Sequence, residues 1–402
     1  MLRLLTLSTL FPNETRPEFG IFVERQTLSL AKRDDLDVRV VAPVGMPPWP
    51  LSRLGRYRVG GSLPHRERWK GLDVYRPRFL NLPGTGGRFH ARMLADAVLP
   101  LARRLHAERP FDLIAAEFFY PDGPAAARIA SALGLPFSIT ARGSDIHHWG
   151  RVPGIARQML DAGNRAAGMI AVSEALRDDM AALGLPASRI RPNTTGVDLA
   201  RFALRDRATA KAGLGIDGPL VVSLGALIPL KGHAIVIDAV ARLPGVQLRI
   251  AGQGPERERL QAHIDRLNLR DRVTLLGGVP QDAVPALLAG ADVMALASER
   301  EGLANAWVEA IASGTPIVVP DIGGARQVLR GGAAAGRLAE RTPAGFAAAI
   351  EAILAAPPAR SEVRRVVEPY SWQANGERLH GHYARLAAGG GRNQIDSRAS
   401  LS

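Results

Sequence analysis

Two carboxylates eight residues apart, Glu301 and Glu309, lie in the stretch SEREGLANAWVEAIASGTPIVVPDIGGARQVL (298–329). A carboxylate accepts two hydrogen bonds at once, which suits the paired hydroxyls of a vicinal diol. If every step between them were helical, they would stand ~12 Å apart along the axis. A cation, Lys231, lies in LGALIPLKG (224–232), a loop bounded by glycine and proline. A flexible ammonium in such a loop can neutralise a group that gains negative charge during reaction. Glycine turns at AGQGPE (251–256) and LGGVP (276–280) allow close backbone approach to a ligand, although a lone GxG is a weak signal. The first half carries Glu117 in EFFYPDG (117–123), and Arg142, Asp145 and His147 in TARGSDIHHW (140–149). The ordinary roles of these groups are modest: a solvated helix carboxylate for either glutamate, a turn cap for Asp145.

The elements that must hold these residues follow from hydrophobic patterning. ADVMALA (291–297) is a short apolar run, expected as a strand. Glu301-Gly302 then breaks the chain, and Asn305 is positioned to satisfy free amides in the first turn of a helix. Ala304, Val308, Ile311 and Ala312 fall at helical spacing and face a core. Ser313-Gly314 ends that helix, and Ile317–Val319 is expected as a parallel strand. The helix thus points its positive end at a sheet edge, where an anion such as a diphosphate can sit.

The same alternation runs along the chain. Leu2–Leu10, 36–43, 112–117, 136–140 and 168–173 are expected strands, and the loop ending at Gly20 leads from the first of them into a helix. Residues 44–72, rich in Pro, Gly, Trp and Arg, are expected to form a long loop, and 87–110 a helix. Strands restart at 219–225, 248–252, 272–278, 291–297 and 316–320, after loop-like residues 189–202. The expected fold is α/β, with two doubly wound Rossmann-like domains facing across a cleft at the carboxyl ends of their sheets. The expected boundaries are 1–190 for the first domain and 196–369 for the second. Helix 370–388 returns to the first, and 389–402 is expected to be a disordered tail.

The stretch from Glu301 to Gly324, with its EG, Asn, EA, SG-x-P-VV and GG in order, resembles the E-x7-E region of family-4 retaining glycosyltransferases of the GT-B fold. The motif order is similar over nearly the whole chain. That resemblance implies a first domain that binds the acceptor and a second that binds a nucleotide sugar. It makes Glu301 the ligand of the donor sugar and Glu309 the ligand of the ribose. Gly302, Leu303, Ala304 and Asn305 lie between them on the donor side, and Lys231 and Gly225 fall at the diphosphate. Gly252, Gly254 and Val279 fall at the nucleobase. Where the family often has Arg after the first glycine of the diphosphate loop, this chain has Ala226, so Arg142 and Arg326 are candidates for the missing cation. Where relatives carry His near the first site and HG-x-D at the second, this chain has Glu117 and Arg142-Gly143-Ser144-Asp145. On this reading Glu117, Asp145 and His147 converge on the cleft, with Gly20 and His147 on the acceptor side, and Arg142 takes over an electrostatic role. The resemblance also implies transfer through one face of the sugar, with the leaving phosphate taking the acceptor proton, and no metal or other cofactor.

Composition narrows the classes. A chain of 402 residues, 47% hydrophobic, suits two domains. The absence of cysteine excludes disulfides and thiolate metal sites and fits a cytoplasmic enzyme. No apolar run reaches membrane-span length, and MLRLLTLSTLF reads as a buried strand rather than a leader. The formal charge is +13, densest at 51–109, with 13 basic against 4 acidic residues. No nucleic-acid motif accompanies it, so the expected partner is an anionic membrane surface. Arg53, Arg56, Arg58, Arg66, Arg68, Lys70, Arg76 and Arg78 are expected to face lipid, beside Trp49 and Trp69. The leading function is therefore transfer of a sugar from a nucleotide donor to a glycan or lipid-linked acceptor, in cell-surface polysaccharide or glycolipid synthesis. The alternative is a nucleotide-sugar epimerase or hydrolase on the same fold. A dinucleotide oxidoreductase is disfavoured because the loop after the first strand lacks G-x-G-x-x-G.

Overall fold

The computed structural model describes residues 1–53 and 61–399, the last ten as backbone only. The chain divides into two compact units, residues 1–196 with 372–402, and residues 197–371.

In the first unit, strands β1 (Leu2–Leu7), β2 (Leu36–Val41), β3 (Val44–Met46), β4 (Arg66–Trp69), β5 (Leu72–Tyr75), β6 (Arg78–Leu80), β7 (Leu113–Ala116), β8 (Phe137–Ala141), β9 (Gly168–Ala171) and β10 (Ile190–Pro192) appear in chain order. Eight of them form one sheet in the order β10-β9-β8-β7-β1-β2-β5-β4, with β3 and β6 paired separately. All pairs are parallel except β4 with β5. The central strands are apolar on both faces because helices cover both. Leu4, Val40 and Leu113 pack on one side and Leu5, Val41 and Ile114 on the other.

Helix α1 (Ile21–Ala31) follows β1, α2 (His90–Glu108) follows β6, and α3 (Asp122–Leu133) follows β7. Along α2 the apolar positions Leu94, Val98, Ala102 and Leu105 recur at helical spacing and are buried. The stretch 44–72, expected as a long loop, contains β3 and all of β4, and Lys70-Gly71, both with positive φ, makes the tight turn into β5. Residues 54–60 lie outside the described residues.

The last helix (Trp372–Ala399) belongs to the first unit, where it packs on α1, β7 and β8 with Leu379 and Tyr383 fully buried. It continues through most of the stretch expected to be a tail; residues 400–402 lie outside the described residues.

The second unit holds β11 (Leu220–Leu224), β12 (Gln247–Ala251), β13 (Val273–Gly277), β14 (Val293–Ala295), β15 (Ile317–Val319) and β16 (Gly336–Leu338). They form one parallel sheet in the order β13-β12-β11-β14-β15-β16. The order reverses at β11 and β14, so the loops after these strands flank the crevice where such sheets bind ligands.

Candidate functional site

In the second unit, the loops leaving β11, β12, β14 and β15 lean on one another backbone to backbone. An added Cβ at Gly252 would stand 1.8 Å from the Gly225 carbonyl oxygen, and one at Gly254 would stand 2.3 Å from that of Leu227. Only glycine permits this approach. Leu227 donates its amide to the Gln253 carbonyl at 2.9 Å, and Gly225 to Ala251 at 3.0 Å. Glu299 donates to Leu230 at 2.8 Å, and Gly324 to Gly302 at 2.6 Å. These bonds hold Gly225, Gly252, Gly254 and Gly302 in one assembly. Val279 packs half-buried on the adjoining core.

Lys231 and Glu301 meet in this assembly. The ammonium Nζ lies 2.5 Å from Glu301 Oε1, which also accepts from Ser298 Oγ at 2.7 Å. Glu301 Oε2 makes neither bond and remains able to accept from a ligand. The helix Asn305–Ala312 begins beside them, with Ala304 as its first residue boundary and no side-chain cap. Asn305 is exposed and does not cap, contrary to the sequence expectation, so the first amides stay open to an anion. Leu303 and Ala304 are buried, and Glu309 is half-buried on the second turn of the helix.

The sequence reading missed His233. Its Nε2 lies 3.1 Å from the Ala226 carbonyl, which can only accept, so Nδ1 accepts from Ser223 Oγ at 3.0 Å. Burial pushes its pKa below the usual range, keeping the ring neutral in that tautomer. His233 thereby fixes the loop in which Ala226 replaces the expected arginine. Its only sequence signal is a polar residue directly after Lys231-Gly232 at the start of an apolar helix.

The first unit treats its expected site residues differently. Glu117 and Asp145 are buried at 1% and 0% exposure, so neither presents a carboxylate to open solvent. Asp145 accepts from the amides of Phe119, Arg142, Gly143 and Ile146, and burial raises its pKa. It is a positioning residue for the 142–146 turn. Glu117 is ion-paired to Arg142 at 2.6 Å and accepts from Gln26 at 2.9 Å and from Tyr383 at 3.4 Å. Burial first, then Glu117, drives the Tyr383 hydroxyl well above its usual pKa.

Arg142 also donates to the Glu117 carbonyl and stacks over Phe22, and its side chain is only 6% exposed. That commitment removes Arg142 from the candidates for a diphosphate cation. Arg326, the other candidate, is exposed but paired with Asp321. His147 bonds Asp179 at 2.9 Å, apart from the Glu117 network. Gly20 starts α1 at φ 73, with the Leu10 carbonyl where a Cβ would stand.

The basic stretch also sorts by burial. Arg76 is 1% exposed and paired with Glu67, and Arg78 bonds only carbonyls, so neither faces lipid. Trp69 is half-buried with its ring nitrogen on Glu24. Among the described residues of this region, Trp49, Leu51, Leu80 and Phe89 are the large exposed apolar side chains, and Arg53 and Arg88 are exposed as well. Arg56 and Arg58 lie outside the described residues.

Comparison with solved structures defines the class of this architecture. Sucrose-phosphate synthase from Thermosynechococcus elongatus superposes with TM-score 0.80 at 19% identity, covering 97% of this chain and all of that one. Anabaena HepE, solved in complex with UDP and glucose, gives 0.72 at 22% identity over 96% of this chain and all of that one. The fold is that of the GT-B glycosyltransferases. Two family descriptions tile the sequence, Glycosyltransferase Family 4 over residues 22–201 and Glycosyl transferases group 1 over 205–368. The chain belongs to the group 1 glycosyltransferases. Among curated relatives, the putative teichuronic acid biosynthesis glycosyltransferase TuaC of Bacillus subtilis is 29% identical over 80% of this chain and 82% of its own length. A GDP-mannose-dependent phosphatidylinositol monomannoside mannosyltransferase of Mycolicibacterium smegmatis is 31% identical over 58% of this chain and 65% of its own.

Proposed function

We propose that the protein is a retaining, metal-independent glycosyltransferase that moves a sugar from a nucleotide diphosphate donor to a glycan or lipid-linked acceptor in cell-surface polysaccharide or glycolipid synthesis. The observation that carries this reading is the Lys231–Glu301 pair at the uncapped start of helix Asn305–Ala312. The second unit holds the donor: its diphosphate lies against Lys231 and the open helix amides, Glu301 Oε2 takes a sugar hydroxyl, and Glu309 takes the ribose. The structures of HepE with UDP and UDP-glucose support a nucleotide-sugar donor. The first unit holds the acceptor. Catalysis consists of positioning and of stabilising charge on the leaving diphosphate, whose oxygen takes the acceptor proton.

Among the described residues no group of three or more metal-ligating side chains comes together. The test is a panel of nucleotide sugars assayed for nucleotide release in excess EDTA. Release from one donor, dependent on acceptor, is expected. Activity that disappears in EDTA and returns with magnesium overturns the metal-independent mechanism.

Glu309→Ala is expected to weaken donor binding about ten-fold while leaving turnover at saturation nearly unchanged, because a ribose contact does not change during transfer. Unaltered donor affinity in calorimetry would remove Glu309 from the site.

The protein is also proposed to dock on anionic membrane from the first unit, through Trp49, Leu51, Leu80 and Phe89 with Arg53 and Arg88. No helix among the described residues is long and apolar enough to cross a membrane. Flotation with anionic vesicles is expected and should fall with salt. Equal flotation with neutral vesicles, or none with either, defeats the membrane proposal.

A further inference from the structure

At the carboxyl ends of β1, β2 and β5, the first unit encloses a cavity of about 600 Å³. It is walled by the loop after β1, the start of β3 and the residues around β6. Among the described residues two arginines line it, Arg16 and Arg76, and no aspartate or glutamate does. Arg76 is neutralised from behind by Glu67. Arg16 is exposed, stacks its guanidinium 3.7 Å over the Phe19 ring, and has no carboxylate partner among the described residues. Arg78, next to the lining residue Phe79, is half-buried and donates only to the carbonyls of Arg76, Gly61 and Leu63. The cavity is therefore bordered by two cations that no carboxylate among the described residues pairs with. Thr9, Asn13 and Thr15 add hydrogen-bonding groups on the same side as Arg16.

The opposite wall is apolar, formed by Val44, Met46, Leu63 and Phe79. Met46 is in register with Leu80, which is 42% exposed. Phe89, at 44% exposure, begins α2, whose His90 bonds the cavity residue Asn81 at 2.6 Å. Apolar surface thus runs from the cavity wall to the outside.

We propose that this cavity binds a phosphate-bearing acceptor, with its phosphate held by Arg16 and its hydrocarbon portion on the Met46–Phe79 wall. The inference rests on the reading of the first unit as the acceptor side and gives that acceptor a chemical class. A planar, always-charged guanidinium donates to phosphate oxygens in a fork and is pre-organised here by stacking on Phe19. Such a phosphate could be borne by a lipid or by a small soluble molecule. The apolar wall leading outward favours the lipid.

Calorimetry on the full chain separates the sources, with geranyl diphosphate, inorganic pyrophosphate and geraniol as probes. Geranyl diphosphate is expected to bind at least ten-fold more tightly than the other two. Arg16→Ala, on an exposed side chain whose loss leaves the core intact, should cost at least ten-fold in that affinity. Lys231→Ala should leave it unchanged, because Lys231 belongs to the donor loops of the other unit. Equal, Arg16-dependent affinity for pyrophosphate supports the phosphate site and assigns it to a soluble ligand. Geraniol binding as well as its diphosphate, insensitivity to Arg16→Ala, or loss in Lys231→Ala alone overturns the proposal. Binding is read without turnover. If no nucleotide sugar is consumed while geranyl diphosphate still binds through Arg16, the transferase reading fails and the phosphate site stands.

Discussion

Replacing Lys231 by alanine lowers kcat about 10²- to 10³-fold and changes KM for the donor little; this is the largest catalytic effect expected of any single substitution. Removing one preorganised group that stabilises developing negative charge typically costs that much. On the proposed reading Lys231 stands where the diphosphate accumulates charge as the sugar leaves, and its ammonium is held 2.5 Å from Glu301. Its attraction is therefore greatest for the departing group and modest for the intact donor, which separates turnover from binding. The alanine variant also leaves Glu301 with Ser298 as its remaining partner, so its carboxylate carries uncompensated charge beside the donor. Lys231→Arg tests the geometry: a broader guanidinium in a loop fixed by backbone contacts should restore only part of the rate. Steady-state kinetics with the donor found in the panel decides the matter. A rise in KM with kcat preserved would make Lys231 a ground-state anchor and shift the burden of stabilisation to the helix amides.

Glu117→Ala is expected to destabilise the first unit by about 3–5 kcal/mol, the usual cost of leaving a buried ion without its partner. Glu117 and Arg142 are 1% and 6% exposed, so solvent screens neither. Truncating the carboxylate strands the guanidinium over Phe22 and also removes the acceptor for Gln26 and Tyr383. Glu117→Gln retains an acceptor and the shape, and should cost less. Urea unfolding followed by two probes is the appropriate measurement, because two units need not unfold together. The loss belongs to the transition that involves the first unit. A shift below about 1 kcal/mol, typical of an exposed pair, would show that the network is solvated in solution.

The site was legible in proportion to how far backbone pattern alone determined it. The loop–helix–strand order around Glu301 was readable because break, apolar periodicity and strand run are all local properties. The juxtaposition of Lys231 with Glu301 needed the resemblance, since 70 positions separate them in sequence. The inward turn of Glu117, Arg142 and Asp145 was not readable. Position after a strand places a residue at the sheet's carboxyl edge, but whether its side chain points into a cleft or under a neighbouring loop depends on tertiary partners. Those partners, Gln26 and Tyr383, come from opposite ends of the chain.

The hairpin of β4 and β5 was hidden by composition. Lys70-Gly71 is a recognisable two-residue turn, yet the surrounding Pro, Gly and Arg content suggested irregular chain. In β16, Gly336–Leu338, a single apolar side chain gives no period to detect.

The return of the last helix to the first unit has a consequence for how the protein is made. Leu379 and Tyr383 complete a core that begins at Leu4, so the first unit lacks one wall until the end of the chain has left the ribosome. The second unit, residues 197–371, is continuous and has no such dependence. Synthesis therefore inverts the usual order in which domains mature: the segment translated first closes last. Meanwhile the parts of β7 and β8 that the last helix packs on stay uncovered for the time needed to translate the whole second unit, the interval in which a chaperone has most to protect.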